Sequence, residues 1–225
     1  MTAPVVRVAG LSLDGPEGPV FAPVDVTVRP GLLTAVVGPG GSGRSALLLA
    51  LSGRMRGCRG TVLLDGVEHP RRGDARRLRS RSAVARLAGL VAPEDRLDVA
   101  QSLAERALID AVRPDQAEQA FAAAEEVLDC HLDRDALVEQ LGAYERTVLA
   151  VALARVRPAD LVLLDDVDAD LDVADQRRLL AALARLAATG PAVVVSTTER
   201  AALPDGTPVV ALAAPSSNRS SKKAS

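Results

Sequence analysis

Apolar and polar positions change their period several times along this chain, and each change marks an element. Val5–Val8 and Val24–Val28 mix apolar and polar residues as half-buried strands do. Gly15, Pro16, Gly18, Pro19 and Pro23 lie between them and predict turns, as does Pro30-Gly31. Leu32–Val37 is a short, nearly unbroken apolar run, the pattern of a strand covered on both faces. A glycine-rich stretch, GPGGSGRS, occupies 38–45, and the Leu/Ala-rich segment Ala46–Ser52 suits a helix. Gly60–Gly66 reads as a strand ending in a turn.

Helical spacing dominates from Leu97 onward. Leu97–Val112 carries it first, Pro114 breaks it, and Asp115–Leu128 and Tyr144–Arg155 resume it. Leu161–Leu164 is a second compact apolar strand, followed by an acidic loop, DDVDADLD, at 165–172. A helix over Ala174–Ala188 is stopped by Gly190. Ala192–Ser196 and Val209–Leu212 read as the last strands, and the Ser/Lys-rich tail 215–225 as disordered. No internal repeat is visible. Strands alternating with helices predict one α/β domain over residues 1–214, with a helical subdomain at roughly 97–155.

Composition removes several function classes. A net charge of -2 gives no electrostatic pull toward nucleic acid, and Phe21, Phe121 and Tyr144 are too few aromatics to stack bases. Arginines crowd Arg71–Arg86, which reads as a solvated surface segment or, more sharply, as a basic face for lipid head groups or an acidic partner. Cys58 and Cys130 form no disulfide framework, so a reducing cytoplasm is expected. Cys130 adjoins His131 with no further Cys or His near in sequence, so the spacing suggests no metal site. The opening MTAPVVRVAGLSLDG shows no leader, and no apolar run approaches the roughly 20 residues of a spanning helix. Any membrane part is expected to come from another chain.

The strongest chemical signal is the strand–GPGGSGRS–helix unit. Glycines at 38, 40, 41 and 43 permit a tight turn that aims backbone N–H groups at an anion. The following helix directs its positive end at the same point. The stretch Gly38, Pro39, Gly40, Gly41, Ser42, Gly43, Arg44, Ser45, Ala46 fits a phosphate loop throughout, except that Arg44 stands where lysine is usual. Ser45 brings a hydroxyl suited to Mg²⁺. A second carboxylate for the metal is expected at the end of a neighbouring apolar strand, and Asp165, after Leu161–Leu164, has that position. Asp166 beside it is placed to polarise a water. A calcium loop in 166–177 is ruled out by Leu171 at its sixth place and Arg177 at its twelfth.

With these elements placed, residues from about 5 to 212 resemble the ATPase family of ABC transporters. Gly60–Gly66 looks like the family's strand-and-turn after the phosphate loop. Ala92-Pro93-Glu94 stands at its Pro-Gln loop, and Leu141-Gly142-Ala143-Tyr144-Glu145 at its Leu-Ser-Gly-Gly-Gln signature. Asp165-Asp166 is similar to its Asp-Glu pair, and Ala169–Asp172 to its dimer-interface loop. Val193–Thr198 resembles the strand that ends in Thr-His.

The resemblance implies a P-loop ATPase fold with a mixed central sheet flanked by helices, an N-terminal antiparallel β portion and a helical subdomain. It implies ATP and Mg²⁺ as ligands and a dimer, with itself or with another cassette. ATP would lie between Gly38–Ser45 of one subunit and Leu141–Glu145 of the other, where Gly142 and Ala143 would bind it. It implies a membrane-spanning partner and a place at the cytoplasmic face of the membrane. Glu94 would touch the metal and the membrane partner, and Thr198 would take the place of the switch histidine.

The departures from the family are Arg44, Glu94, Asp166, Thr198 and the signature, where Tyr144 is expected to hinder backbone approach to the opposing γ-phosphate. No aromatic residue lies near Leu13-Asp14-Gly15 to stack adenine. Together they imply weak hydrolysis, hydrolysis only beside a better-equipped partner, or a nucleotide-binding regulatory subunit without turnover. Another P-loop enzyme, such as a small-molecule kinase, fits the helical block less well.

Overall fold

The computed structural model describes residues 5–16, 18–64, 67–68, 72–87 and 89–214. The first four residues, Asp65-Gly66 with the turn expected there, His69, Arg71 and the tail 215–225 lie outside them.

The strands fall into two sheets. The first is antiparallel, in the order β2-β1-β4-β5, with β1 at Val6–Gly15, β2 at Gly18–Val28, β4 at Arg59–Leu64 and β5 at Val67–Glu68. The second runs β6-β7-β8-β3-β9, with β3 at Leu33–Val37, β6 at Ser82–Arg86, β7 at Leu161–Leu164, β8 at Ala192–Thr197 and β9 at Val209–Ala211. Every pairing in it is parallel. The N-terminal antiparallel portion and the central sheet flanked by helices that the resemblance implies are both present, and the antiparallel pairings lie in the N-terminal sheet.

β1 and β2 are longer than their pattern suggests. Pro19 and Pro23 stay inside β2 instead of ending it, because β2 is an edge strand and can do without some ladder donors.

The central strands are buried on both faces, which explains their unbroken apolar runs. Val36, Leu161, Leu163 and Val194 face one core, shared with Leu47, Leu48 and Leu51 of α1 (Arg44–Leu51) and with Val6, Leu11, Phe21 and Val28 of the antiparallel sheet. Ala35, Val37, Val162, Leu164, Val193 and Val195 face the other, made with helices. These are α3 (Val99–Asp110), α4 (Pro114–Leu128), α5 (Ala143–Ala154) and α6 (Val173–Ala188). The domain is therefore layered, with the parallel sheet in the middle.

Local chemistry sets the helix starts. Asp98 and Gln101 form a reciprocal capping box on α3, at 2.6 and 3.1 Å. Pro114 opens α4 as its first residue, where its missing N–H has no intrahelical partner to lose. The chain between α4 and α5 is pinned by Glu125, whose buried carboxylate accepts from Leu132 N (2.7 Å) and from Arg134 (2.6 and 2.9 Å). Arg134 in turn lies over the Phe121 ring at 4.6 Å.

The arginine-rich segment differs from the surface stretch expected. It forms α2 (Arg72–Arg81), with Arg76 and Arg77 exposed, and then passes into the core as β6, where Ser82–Ala85 are buried. Among the described residues no helix is long and apolar enough to cross a membrane.

Candidate functional site

The 38–45 loop leaves the C-terminal end of β3 and enters α1. Gly38 N donates to Thr197 O at 3.3 Å, so the loop is tied to the end of β8. Gly43, at φ 88°, is the N-cap of α1. A Cβ there would lie 2.6 Å from Val20 O, so glycine is required both by conformation and by the approach of β2. Gly40 and Gly41 differ: a Cβ on either would meet nothing within 4 Å. These two border open space, whereas Gly43 packs against the fold. The first turn of α1 has neither an acidic residue nor a side-chain cap, so its N–H groups present an uncompensated positive end.

Asp165 and Asp166 follow β7 directly, two strands from β3 in the sheet order. Asp165 is fully buried, and its Oδ1 accepts from Ser196 Oγ at 2.5 Å. Its Oδ2 is buried with no hydrogen-bond partner. Ser42 Oγ and Arg44 Nε are buried and unpartnered as well. Buried polar atoms are rarely left so, and three of them belong to the phosphate loop and the adjoining carboxylate. A phosphate-bound divalent cation fits this donor set: Asp165 Oδ2 and the Ser45 hydroxyl are hard oxygen ligands.

The structure brings Arg44 and Asp166 together. Arg44 Nη2 donates to Asp166 Oδ1 at 2.5 Å, and Arg44 Nη1 donates to Gly38 O. The Arg44 side chain is 10% exposed and that of Asp166 32%. The longer cation and the shorter carboxylate, each a departure from the family pattern, therefore meet. Asp166 has a left-handed backbone, φ 45°, unusual for a residue with a Cβ. Its amide donates to Ser196 Oγ at 2.8 Å, so one hydroxyl serves both carboxylate-bearing residues.

Thr198 is exposed and faces Asp168, not Arg44. Both its N–H (2.9 Å) and its hydroxyl donate to Asp168 Oδ2. Burial pushes the Asp168 carboxyl up, but these hydrogen bonds outweigh it and hold the group below the ordinary carboxylate range.

Glu94 is exposed, in a loop beyond β6. It lines a cavity of about 220 Å³ with Leu90, Val91 and Ile109. Among the described residues no hydrogen bond ties its side chain to Arg44, Asp165 or Asp166. The residue that reaches the Asp165–Asp166 turn from β6 is instead Arg86, which sequence reasoning passed over. It donates to Asp166 O at 2.5 Å and to Asp165 O at 3.3 Å.

Gly142 is the N-cap of α5 and Ala143 its first residue. Gly142 N–H donates to Glu145 Oε2 at 3.0 Å, so the helix start is capped by its own carboxylate. Tyr144, expected to hinder backbone approach to an opposing γ-phosphate, turns its ring inward. It is 7% exposed and turned into the core, with Arg178 over its ring at 4.3 Å.

Residues 21–169 match the model of the ABC transporter family. The hemin import ATP-binding protein HmuV of Myxococcus xanthus is 34% identical over 202 residues, covering 84% of this chain and 73% of that protein. The cytochrome c biogenesis ATP-binding export protein CcmA of Xanthomonas campestris is 34% identical over 170 residues, covering 76% and 75%. Among solved structures, the dimeric bacterial ABC transporter cassette MJ0796 superposes with a TM-score of 0.75 at 16% identity, over 93% of this chain and 94% of that one. The cassette cbiO1 of Clostridium perfringens gives 0.72 at 18% identity, over 88% and 79%. The structural likenesses bear on the fold.

Proposed function

Because this chain belongs to the ABC transporter family and is an ATP-binding subunit of that kind, we propose that it is an ATPase whose resting site is held shut by its own Arg44–Asp166 ion pair. The observation that carries this reading is the 2.5 Å contact between those two side chains at the mouth of the phosphate loop. ATP phosphates compete for Arg44 and for the free N–H groups at the start of α1. As Arg44 turns to them, Asp166 is released to orient a water as general base.

Mg²⁺ bound with ATP would supply charge neutralisation to the phosphates. Asp165 Oδ2 and Ser45 Oγ would hold it, while Ser196 fixes the Asp165 carboxylate through its other oxygen. Gly40 and Gly41 keep the cradle open for the phosphates.

Hydrolysis is slow for reasons that belong to this chain. Asp166 is one methylene shorter than the family's glutamate, and a reach error near 1 Å costs about 10²-fold. Thr198 is committed to Asp168. A second cassette would cover ATP with its residues 141–145, but only after Glu145 gives up the Gly142 N–H. A membrane-spanning partner receives the resulting closure, with the subunit at the cytoplasmic face of the membrane.

The test is a titration of wild type and Arg44→Ala with MgATP. Binding by wild type and its loss in the variant supports Arg44 as the phosphate-binding cation. Equal binding by both refutes that role.

A further inference from the structure

Arg86 is the last residue of β6, and its main chain and side chain grip the same turn. Asp165 N donates to Arg86 O at 3.0 Å, which carries the β6–β7 ladder one step past Leu164. The side chain then folds back over the carbonyls beyond the end of β7. Nη2 donates to Asp166 O (2.5 Å) and Asp165 O (3.3 Å), and Nε to Asp165 O at 3.4 Å. The remaining arm, Nη1, donates to Thr147 Oγ1 at 2.9 Å. Thr147 lies one turn into α5, and its hydroxyl donates to Ala143 O at 2.9 Å.

Two features make this grip specific. The left-handed Asp166 is held from both sides, its carbonyl by Arg86 and its amide by Ser196. A non-glycine residue keeps that conformation only when its surroundings over-determine it. The job also needs a planar fork. A guanidinium can bridge two carbonyls and a hydroxyl at fixed angles, whereas an ammonium is a point charge on a loose stem. Burial disfavours the Arg86 cation, while Asp166, Asp170, Asp165 and Asp168 around it favour it. The guanidinium borders a cavity of about 430 Å³ with Ala143, Arg146, Ala169 and Asp170. It therefore stands between the start of α5 and the acidic loop.

We propose that Arg86 is a positioning residue for ATP hydrolysis: it fixes the Asp166 turn and ties it through Thr147 to the start of α5. The inference rests on the ATPase reading above. A displacement of α5, whose first residues face the second cassette in that reading, is passed to the base by two hydrogen bonds. Arg86 touches neither nucleotide nor water in this role.

The test combines kinetics with amide exchange on the full chain. Arg86→Met lowers kcat by about 10²-fold and leaves the MgATP dissociation constant unchanged. Arg86→Lys rescues little of the loss, and Thr147→Val falls between wild type and Arg86→Met. In an Asp166→Asn background, Arg86→Met lowers the residual turnover no further, because both changes disable one unit. Without nucleotide, exchange at the Asp166 and Val167 amides accelerates in Arg86→Met, while Val193 and Val194 stay protected.

Unchanged kcat in Arg86→Met, or losses that multiply with Asp166→Asn, overturns the proposal and leaves the ATPase reading standing. So does accelerated exchange across the whole sheet, which marks a merely structural role. A wild type without turnover overturns the ATPase reading, and the exchange rates then decide alone whether Arg86 holds the turn.

Discussion

Arg44 and Asp166, 122 positions apart in sequence, form a 2.5 Å ion pair between the phosphate loop and the end of β7. Each deviates from the family pattern, and the two deviations fit one another in length. In the proposed function the pair occupies the groups that would take up nucleotide and water, so that reading couples ATP binding to the release of Asp166.

Asp166→Asn separates the two events. Turnover falls by at least about 10²-fold, as expected for loss of a general base. MgATP binds as tightly as to wild type or more so, because Arg44 no longer has a competing anion. Isothermal titration and a phosphate-release assay on the same preparation check both halves.

The loop glycines divide into two kinds. Gly43→Ala forces a Cβ to within 2.6 Å of Val20 O at φ 88° and lowers stability by more than about 1 kcal/mol. Gly40→Ala meets nothing within 4 Å. It leaves the melting temperature unchanged and weakens ATP binding, because its methyl projects into the cradle. Thermal melts with and without MgATP distinguish these outcomes.

Metal dependence locates the role of Asp165. Asp165→Asn keeps ATP binding in chelator and loses the gain in affinity that Mg²⁺ gives wild type. Equal Mg²⁺ enhancement in the two proteins would count against Asp165 as a ligand.

The Thr198–Asp168 contact predicts a pH effect with a definite sign. The Asp168 carboxyl is held below its ordinary value, near 4. A depressed folded-state value contributes stability that is complete above that pH. The contribution is lost as the pH falls through the folded-state value. Thr198→Val removes the hydroxyl donor, so the Asp168 titration moves upward and acid unfolding begins at higher pH. Carboxyl NMR titration and acid melts read the two shifts.

Glu125 is depressed in the same sense. Burial pushes it up, and the hydrogen bonds from Arg134 and Leu132 N outweigh that. Glu125→Gln costs about 2 kcal/mol at neutral pH, because the Arg134 cation loses its charged acceptor. That cost shrinks as the pH falls past the ordinary carboxylate range and through the depressed folded-state value, where wild type loses the same interaction. Urea unfolding of both proteins at pH 7 and pH 3.5 measures it.

The sequence carried the parts of the site that depend on local pattern. The apolar run of β3, the four glycines and the Leu161–Asp165 strand end are all short-range signals, and each lies where expected. β6 was hidden because Ser82, Ala83 and Ala85 are small and sit among arginines that suggest solvent. The inward turn of Tyr144 depends on packing beneath α5, which a motif does not encode. Pro19 and Pro23 looked like breakers because edge position is a property of the sheet, not of the strand. The Arg44–Asp166 pair and the Arg86 grip on β7 are contacts between residues 122 and 80 positions apart, so no window of sequence contains them.

The most direct test of the central claim is steady-state ATP hydrolysis by the purified wild-type chain, measured across protein concentration with Mg²⁺ present. The account predicts slow turnover that rises more than linearly with concentration as two cassettes close on ATP, and that vanishes in Arg44→Ala. MgATP binding without any turnover at the highest concentration, alone or with a second cassette, would contradict it.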